Sequence, residues 1–396
     1  MPGAKPRQPK TVLYASVGPD ITQYDVDVVT CTLTRRGSVL APANVQYVWP
    51  HATRAFLYAA SSDSASGMAG GGSNHHVAAF QIDAATGALR PHGTPIRLPT
   101  RPIHMATDLM SEHVLVAFNN PPAMRVYRIE PDGTLGDEVV QPGPIDPGIF
   151  PHQVLPTPDG KQVILVARGF DAEHDKPEQP GALQLFDFAA GILSNQVSIA
   201  PNGGYGFGPR HIDFHPVKPW VYVSLERQDQ LAVFTLNNGK LSPDALFRAD
   251  TLRRDTPIGS HQVVGTVHVH PNGRFAYVAN RASEQIEVNG RLVFEGGQNS
   301  IAVFALDQID SRPTLVQYVD THGIHPRTFH IDPTGQMMVV AHIMGLPLRE
   351  GGPMPTRLTT FRIDQEGKLN YVRAYDIETG GRLMWWAGMV TLPGGS

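Results

Sequence analysis

Cysteine is almost absent. The chain of 396 residues holds one, Cys31, so no disulfide can form within it, which agrees with a reducing compartment. Long apolar runs are missing. Nothing approaches the roughly eighteen consecutive apolar residues of a membrane-spanning helix. The N-terminal stretch MPGAKPRQPKTVLYAS is basic but has no apolar core of a signal peptide, so the cytoplasm is the expected address. An excess of positive charge is missing too. The formal charge is −4, which argues against non-specific nucleic-acid binding. Helical periodicity is not found in any segment. There is no GxGxxG or P-loop, so no nucleotide cofactor is indicated, and no GxSxG elbow for a serine nucleophile. HExxH and CxxC are lacking, and although His268 and His270 share a strand face and His75 and His76 are adjacent, no grouping has fixed ligand spacing. Neither a cofactor nor a catalytic metal is expected; a structural ion stays open.

Turn formers and short strands are abundant. The 39 glycines and 35 prolines suit a chain that reverses direction many times. Seven times the sequence repeats a short apolar strand, a polar loop and a second strand of the type Val-x-Val-Phe. The units are VLYAS…YDVDVV (12–29), FLYAAS…HVAAFQID (56–83), HVLVAFN…MRVYRIE (113–130), QVILVAR…ALQLFDF (162–188), WVYVSLE…QLAVFTL (220–236), FAYVANR…SIAVFALD (275–307) and MMVVAHI…RLTTFRID (337–364). An all-strand repeat of roughly 45–60 residues predicts a seven-bladed β-propeller over residues 1–396, one domain with about four antiparallel strands per blade. Residues 1–10 read as a flexible tail. Segments such as VHVHPNGRFAYV (267–278) and FHIDPTGQMMVV (329–340) read as inner strand, Pro-x-Gly turn, second strand. A closed ring needs no partner to protect its edges, so a monomer is expected.

Four long loops, 62–76, 169–181, 282–299 and 343–356, all join the second strand of a blade to the third. On a propeller they share one face and would wall a site there; the plainer reading is tolerated surface insertion. Loop 62–76 reads as flexible from its Gly and Ser.

The start of each inner strand and the end of the next lie on one edge of the sheet. Strand starts carry His104, His152, Arg210-His211, His268 and Arg327; strand ends carry Asn119, Arg168, Glu226, Asn280-Arg281 and His342. Charges beside Val-rich core strands are costly unless paired or wet. Cations, one carboxylate and several imidazoles around a channel mouth suit binding and transforming an anion. Each residue also has a plainer reading. Arg210 and Arg327 could pair between blades, Glu226 could be their counterion, and His152 could be a satisfied core histidine. His215 and His270, each directly before a turn proline, read as structural.

The segments FPHQVLPTPDGKQVILV, GPRHIDFHPVKPWVYVSLE, VHVHPNGRFAYVANR, NSIAVFALD and HPRTFHIDPTGQMMVVAH together resemble the lactonase family of seven-bladed propellers. That family includes propeller-type 6-phosphogluconolactonases and carboxy-cis,cis-muconate cyclases. The likeness covers about residues 150–345; the first hundred match only in blade rhythm. It implies His152, Arg210, Glu226 and Arg281 as catalytic residues, all members of the set reached from strand ends. The loops after Gly169, Arg281 and Ile343 are longer than the family's usual ones, which bears on substrate identity. The C-terminal MWWAGMV is of a kind with closing strands in the family.

The expected function is therefore hydrolysis of a small anionic sugar-type lactone, without a metal. His152 is a better candidate base than Glu226, whose pKa cations would depress. Arg210 and Arg281 would stabilise the oxyanion, with His104, Arg168, His211, Arg327 and His342 binding substrate. Lactone-forming cyclisation of a carboxylated muconate is the alternative chemistry. A non-catalytic binding platform is the alternative class.

Overall fold

Val, Ile, Tyr and Phe dominate the repeated strands, and where sheets are covered on both faces such strands bury every side chain. The second strand of each blade shows this. His113–Asn119 and Phe275–Arg281 are buried from end to end. The outermost strands have one wet face, and Leu89–Arg97 and Leu369–Asp376 are mostly exposed or half-buried.

The computed structural model describes residues 10–64, 72–173 and 175–393. The expected flexible tail at 1–10 lies almost wholly outside them, as does the Gly-Ser centre of loop 62–76. Seven antiparallel sheets follow one another along the chain, as the repeat requires. We number the blades 1 to 7. Their inner strands are Trp386–Thr391, Asn44–Pro50, Pro102–Thr107, Pro151–Pro156, Pro209–Phe214, Val263–Val269 and Ile324–Ile331. Blade 1 takes its inner strand from the chain's end: Trp386–Thr391 pairs with Thr11–Val17, with Trp386 opposite Ser16. This joins the two ends of the repeat and closes the ring.

Seven apolar clusters fill the seven interfaces between neighbouring blades. The last of them packs Met337, Val339 and Ala341 of blade 7 on Leu13, Ala15 and Met389 of blade 1. Polar ties recur beside this packing. A tyrosine in the second strand reaches the outer turn of the next blade: Tyr14 Oη donates to the Gly87 carbonyl at 2.7 Å, Tyr58 to Gly133 at 3.0 Å and Tyr277 to Gly367 at 2.8 Å.

His215 and His270 are structural, as expected. His215 Nε2 donates to the Gly273 carbonyl of the next blade at 3.0 Å, while Nδ1 accepts the Lys218 amide at 3.0 Å. His270 does the same with Gly335 at 2.9 Å and the Asn272 amide at 3.1 Å. The imidazoles lie so close that a Cβ at Gly273 would stand 2.5 Å from His215, and at Gly335 2.3 Å from His270. Both glycines also have positive φ, so turn geometry and close approach demand the same residue.

The described parts of the four long loops all lie on the face opposite these turns. Loop 282–299 forms a hairpin of its own, Gln285–Val288 with Arg291–Phe294. The Phe294 amide donates to the Pro347 carbonyl at 2.8 Å, which ties this hairpin to loop 343–356.

Candidate active site

A shift of register builds the site. Five inner strands carry one extra residue near their start, at Gln46, Ile103, His152, Arg210 and Arg327. Blade 6 sets Gly265 and Thr266 against the single Ala279. A bulge takes its residue out of the strand's alternation and re-aims the side chain. His152, Arg210 and Arg327 thus hold equivalent positions on blades 4, 5 and 7. In blade 1 Trp385 stands directly before the inner strand.

Glu226 follows the second strand of blade 5 and gathers three arginines. Arg168 Nη1 donates to its Oε2 at 2.5 Å, Arg210 Nε lies 3.0 Å from Oε1, and Arg281 Nη2 donates to Oε1. Burial alone would raise the carboxyl's pKa, but Arg168, Arg281 and Arg210 outweigh it and hold it at about 2. Glu226 is therefore a fixed counterion at neutral pH. Arg281 is further held by the Val264 carbonyl at 3.2 Å and by His325 Nε2 at 3.0 Å. Arg168 lies over the Phe150 ring at 5.0 Å. Arg210 is the least satisfied of the three. Its Nε is not aligned for a hydrogen bond and its Nη1 is buried without any acceptor. Burial, then Arg281, lowers its pKa to about 9, with Glu226 acting in the opposite sense.

Three histidines sit beside this knot. The His211 ring is 5.2 Å from His152 and 6.1 Å from His104, which lies 3.9 Å from the Tyr47 ring. Burial, reinforced by Arg210 and Arg327, holds all three far below the usual imidazole pKa. They are neutral at pH 7. Among the described residues His152 Nδ1 has no partner, and Nε2 has none either but keeps solvent access.

The structure thus groups His152, Arg210, Glu226, Arg281, Arg168, His104, His211 and Arg327 at one end of the channel. His342 stands apart. Its Nδ1 donates to the Arg357 carbonyl at 3.0 Å beneath Gly323, and burial holds its pKa at about 4.

Several residues escaped the sequence reading. Gln46 and Trp385 occupy the same level of the ring, but neither is charged. Arg101 and His325 directly precede the prolines that mark strand starts. Reading one residue further upstream in Arg101-Pro102 and His325-Pro326-Arg327 would have found both. Asp229 lies in the turn after Glu226. Burial first, then Glu226, raises its pKa to about 7, and its Oδ1 is buried without a partner.

Among the described residues one group has three potential metal ligands, Asp108, Glu112 and His113. It occupies a turn at the opposite end of blade 3. Asp108 there accepts the Glu112 amide at 2.7 Å and His113 Nδ1 at 2.8 Å. A surface cavity of about 840 Å³ lies between the turns around Pro158, His215 and Gly239, and no channel-mouth residue lines it.

The chain resembles known proteins along most of its length. The family described as lactonase, 7-bladed beta-propeller, matches residues 13–344. The 6-phosphogluconolactonase of Bacillus subtilis is 27% identical over 331 residues, which are 81% of this chain and 84% of that one. That of Serratia proteamaculans is 24% identical over 352 residues, 88% and 89% of the two chains. Among solved structures, the periplasmic gluconolactonase of Pseudomonas aeruginosa superposes with a TM-score of 0.72 at 19% identity, over 97% of this chain and 99% of that one. This last likeness concerns the fold. The match over residues 13–344 shows that the chain belongs to the lactonase family of seven-bladed β-propellers.

Proposed function

We propose that the protein hydrolyses a small sugar-type lactone bearing an anionic group, without a metal, with His152, Arg210, Glu226 and Arg281 as the working residues. The observation that carries this reading is a neutral imidazole, His152, beside a buried guanidinium, Arg210, whose donors are not consumed by its counterion. The relatives named 6-phosphogluconolactonase support the substrate class.

The steps follow from these groups. His152 takes a proton from water as the oxygen adds to the lactone carbonyl. The oxyanion of the tetrahedral intermediate forms against Arg210 Nη2, the one nitrogen of this guanidinium that is both unpaired and open to solvent, fixed in place before the reaction begins. The intermediate collapses, the ring C–O bond breaks, and the leaving alkoxide takes the proton back from His152. The product is an open hydroxy acid. Glu226 orients Arg168, Arg210 and Arg281 and offsets part of their charge. Arg281, anchored by Glu226 and His325, keeps the knot rigid.

The proposal places a monomer in the cytoplasm. Among the described residues no helix is long and apolar enough to cross a membrane. The test is hydrolysis by the purified protein, with EDTA present, followed in a pH-stat. The panel contains 6-phosphogluconolactone, gluconolactone and a carboxylated muconolactone. Turnover of a charged lactone supports the reading. A flat panel overturns it in favour of cyclisation or a binding role.

A further inference from the structure

Two arginines at the channel mouth lie outside the Glu226 knot. Arg327 Cζ is 3.9 Å from the centre of the Trp385 ring and Arg101 Cζ is 5.6 Å from it. Both residues are more than nine-tenths buried, at 6% and 9% exposure for Arg101 and Arg327. Arg101 Nε donates to Gln46 Oε1 at 2.8 Å. Among the described residues its terminal nitrogens have no acceptor, and no Arg327 side-chain nitrogen has one; none of these atoms is sealed from solvent. Neither guanidinium has a carboxylate within ion-pair distance among the described residues. Two neighbouring cations packed on one indole, with open donors and no counterion, form half of an ionic contact.

We propose that Arg101, Arg327 and Trp385 form an oxyanion subsite that takes the phosphate or carboxylate carried by the substrate away from its lactone ring. This rests on the lactonase reading above. Glu226 is already shared among three arginines, so the fourth and fifth are left for the ligand. Gln46 positions Arg101 with its terminal nitrogens free, and the indole holds the plane of Arg327. An anion here also cancels part of the field that Arg327 exerts on His152, so a charged lactone makes the imidazole a stronger base.

The experiment compares kcat/KM for 6-phosphogluconolactone, for glucaro-1,4-lactone, which bears a carboxylate, and for uncharged gluconolactone. It uses wild type, Arg101→Gln and Arg101→Lys. The charged-to-neutral ratio should fall at least about tenfold in Arg101→Gln, the loss expected for charge-assisted hydrogen bonds, and recover in part in Arg101→Lys. Which charged lactone loses more identifies phosphate or carboxylate as the natural group. A merely structural arginine lowers all three substrates together, and an unchanged ratio overturns the subsite. If wild type turns over none of them, the lactonase reading has failed. The subsite is then judged by calorimetric binding of 6-phosphogluconate: affinity lost in Arg101→Gln upholds it, and equal affinity rejects it.

Discussion

Arg210 Nε and Glu226 Oε1 stand 3.0 Å apart without an aligned hydrogen bond. The pair is held by charge and enclosure, and the better bonds of Glu226 go to Arg168 and Arg281. Removing that carboxylate leaves two buried cations, Arg210 and Arg281, and the half-buried Arg168 with no counterion. Glu226→Gln should therefore cost about 3–5 kcal/mol of stability, the range for breaking a buried ion pair. Urea unfolding at pH 7 measures it. A cost below about 1 kcal/mol would show that the arginines find other partners.

His152 is the proposed proton acceptor. His152→Ala should lower kcat by about 10²–10⁴-fold, the usual worth of a positioned acid–base group. The circular dichroism spectrum should be preserved. An unchanged kcat removes His152 from the mechanism and returns it to the role of core histidine.

The fold was legible because its signal repeats. Strands such as FLYAAS, WVYVSLE and FAYVANR occupy equivalent second-strand places, so seven weak signals add up. The paired arginines and Glu226 were legible because charge at the end of a Val-rich strand is conspicuous. Gln46 was hidden because a neutral residue at a bulge looks like any strand residue, and the bulge itself leaves no mark in the sequence; Trp385 was hidden because it is uncharged and stands before a strand that the chain's end supplies to blade 1. His342 misled for the opposite reason. It lies near the end of the strand Met337–Met344, but the next strand's Arg357 carbonyl captures it. The perturbed state of Asp229 depends on what lies over the turn, which sequence order does not supply.

Burial makes acid pH destabilising here. His104, His152, His211 and His325 are held well below the normal imidazole pKa, and His330 and His342 at about 4, in each case by burial first. Their folded pKa values are depressed, so the stability linked to them is fully present above about pH 6.5 and is lost as pH falls toward the folded values. Glu226 adds a second loss between about pH 4.5 and 2. Each histidine contributes up to about 1.4 kcal/mol per pH unit. The urea midpoint should drop steeply between pH 7 and 5. A flat midpoint over that window contradicts the neutral, buried assignment.

His215 offers a control away from the site. Its imidazole bridges the Gly273 carbonyl of blade 6 and the Lys218 amide of its own turn. His215→Ala leaves the carbonyl without that donor and opens a gap, at a cost of about 1–3 kcal/mol. The turn lies on the face opposite the long loops, so kcat should stay within about twofold of wild type; that factor corresponds to about 0.4 kcal/mol in the barrier. Loss of kcat at full stability would mean that the turn histidines act on the site.

Asp229 carries the opposite sign. Its pKa is raised to about 7, first by burial and then by Glu226, and its Oδ1 finds no donor. A carboxyl with a raised folded pKa weakens the fold as pH climbs from the unfolded value near 4 to the folded value, because the unfolded chain gives up its proton first. At pH 8 the native protein must hold an ionised carboxylate beside Glu226, at pH 4 a neutral acid. Asp229→Asn removes that charge and keeps the shape. It should raise the urea midpoint at pH 8, and the gain should shrink toward zero near pH 4. A gain independent of pH would assign the effect to packing, and a loss at pH 8 would show that the ionised carboxylate is favourably paired with Arg281.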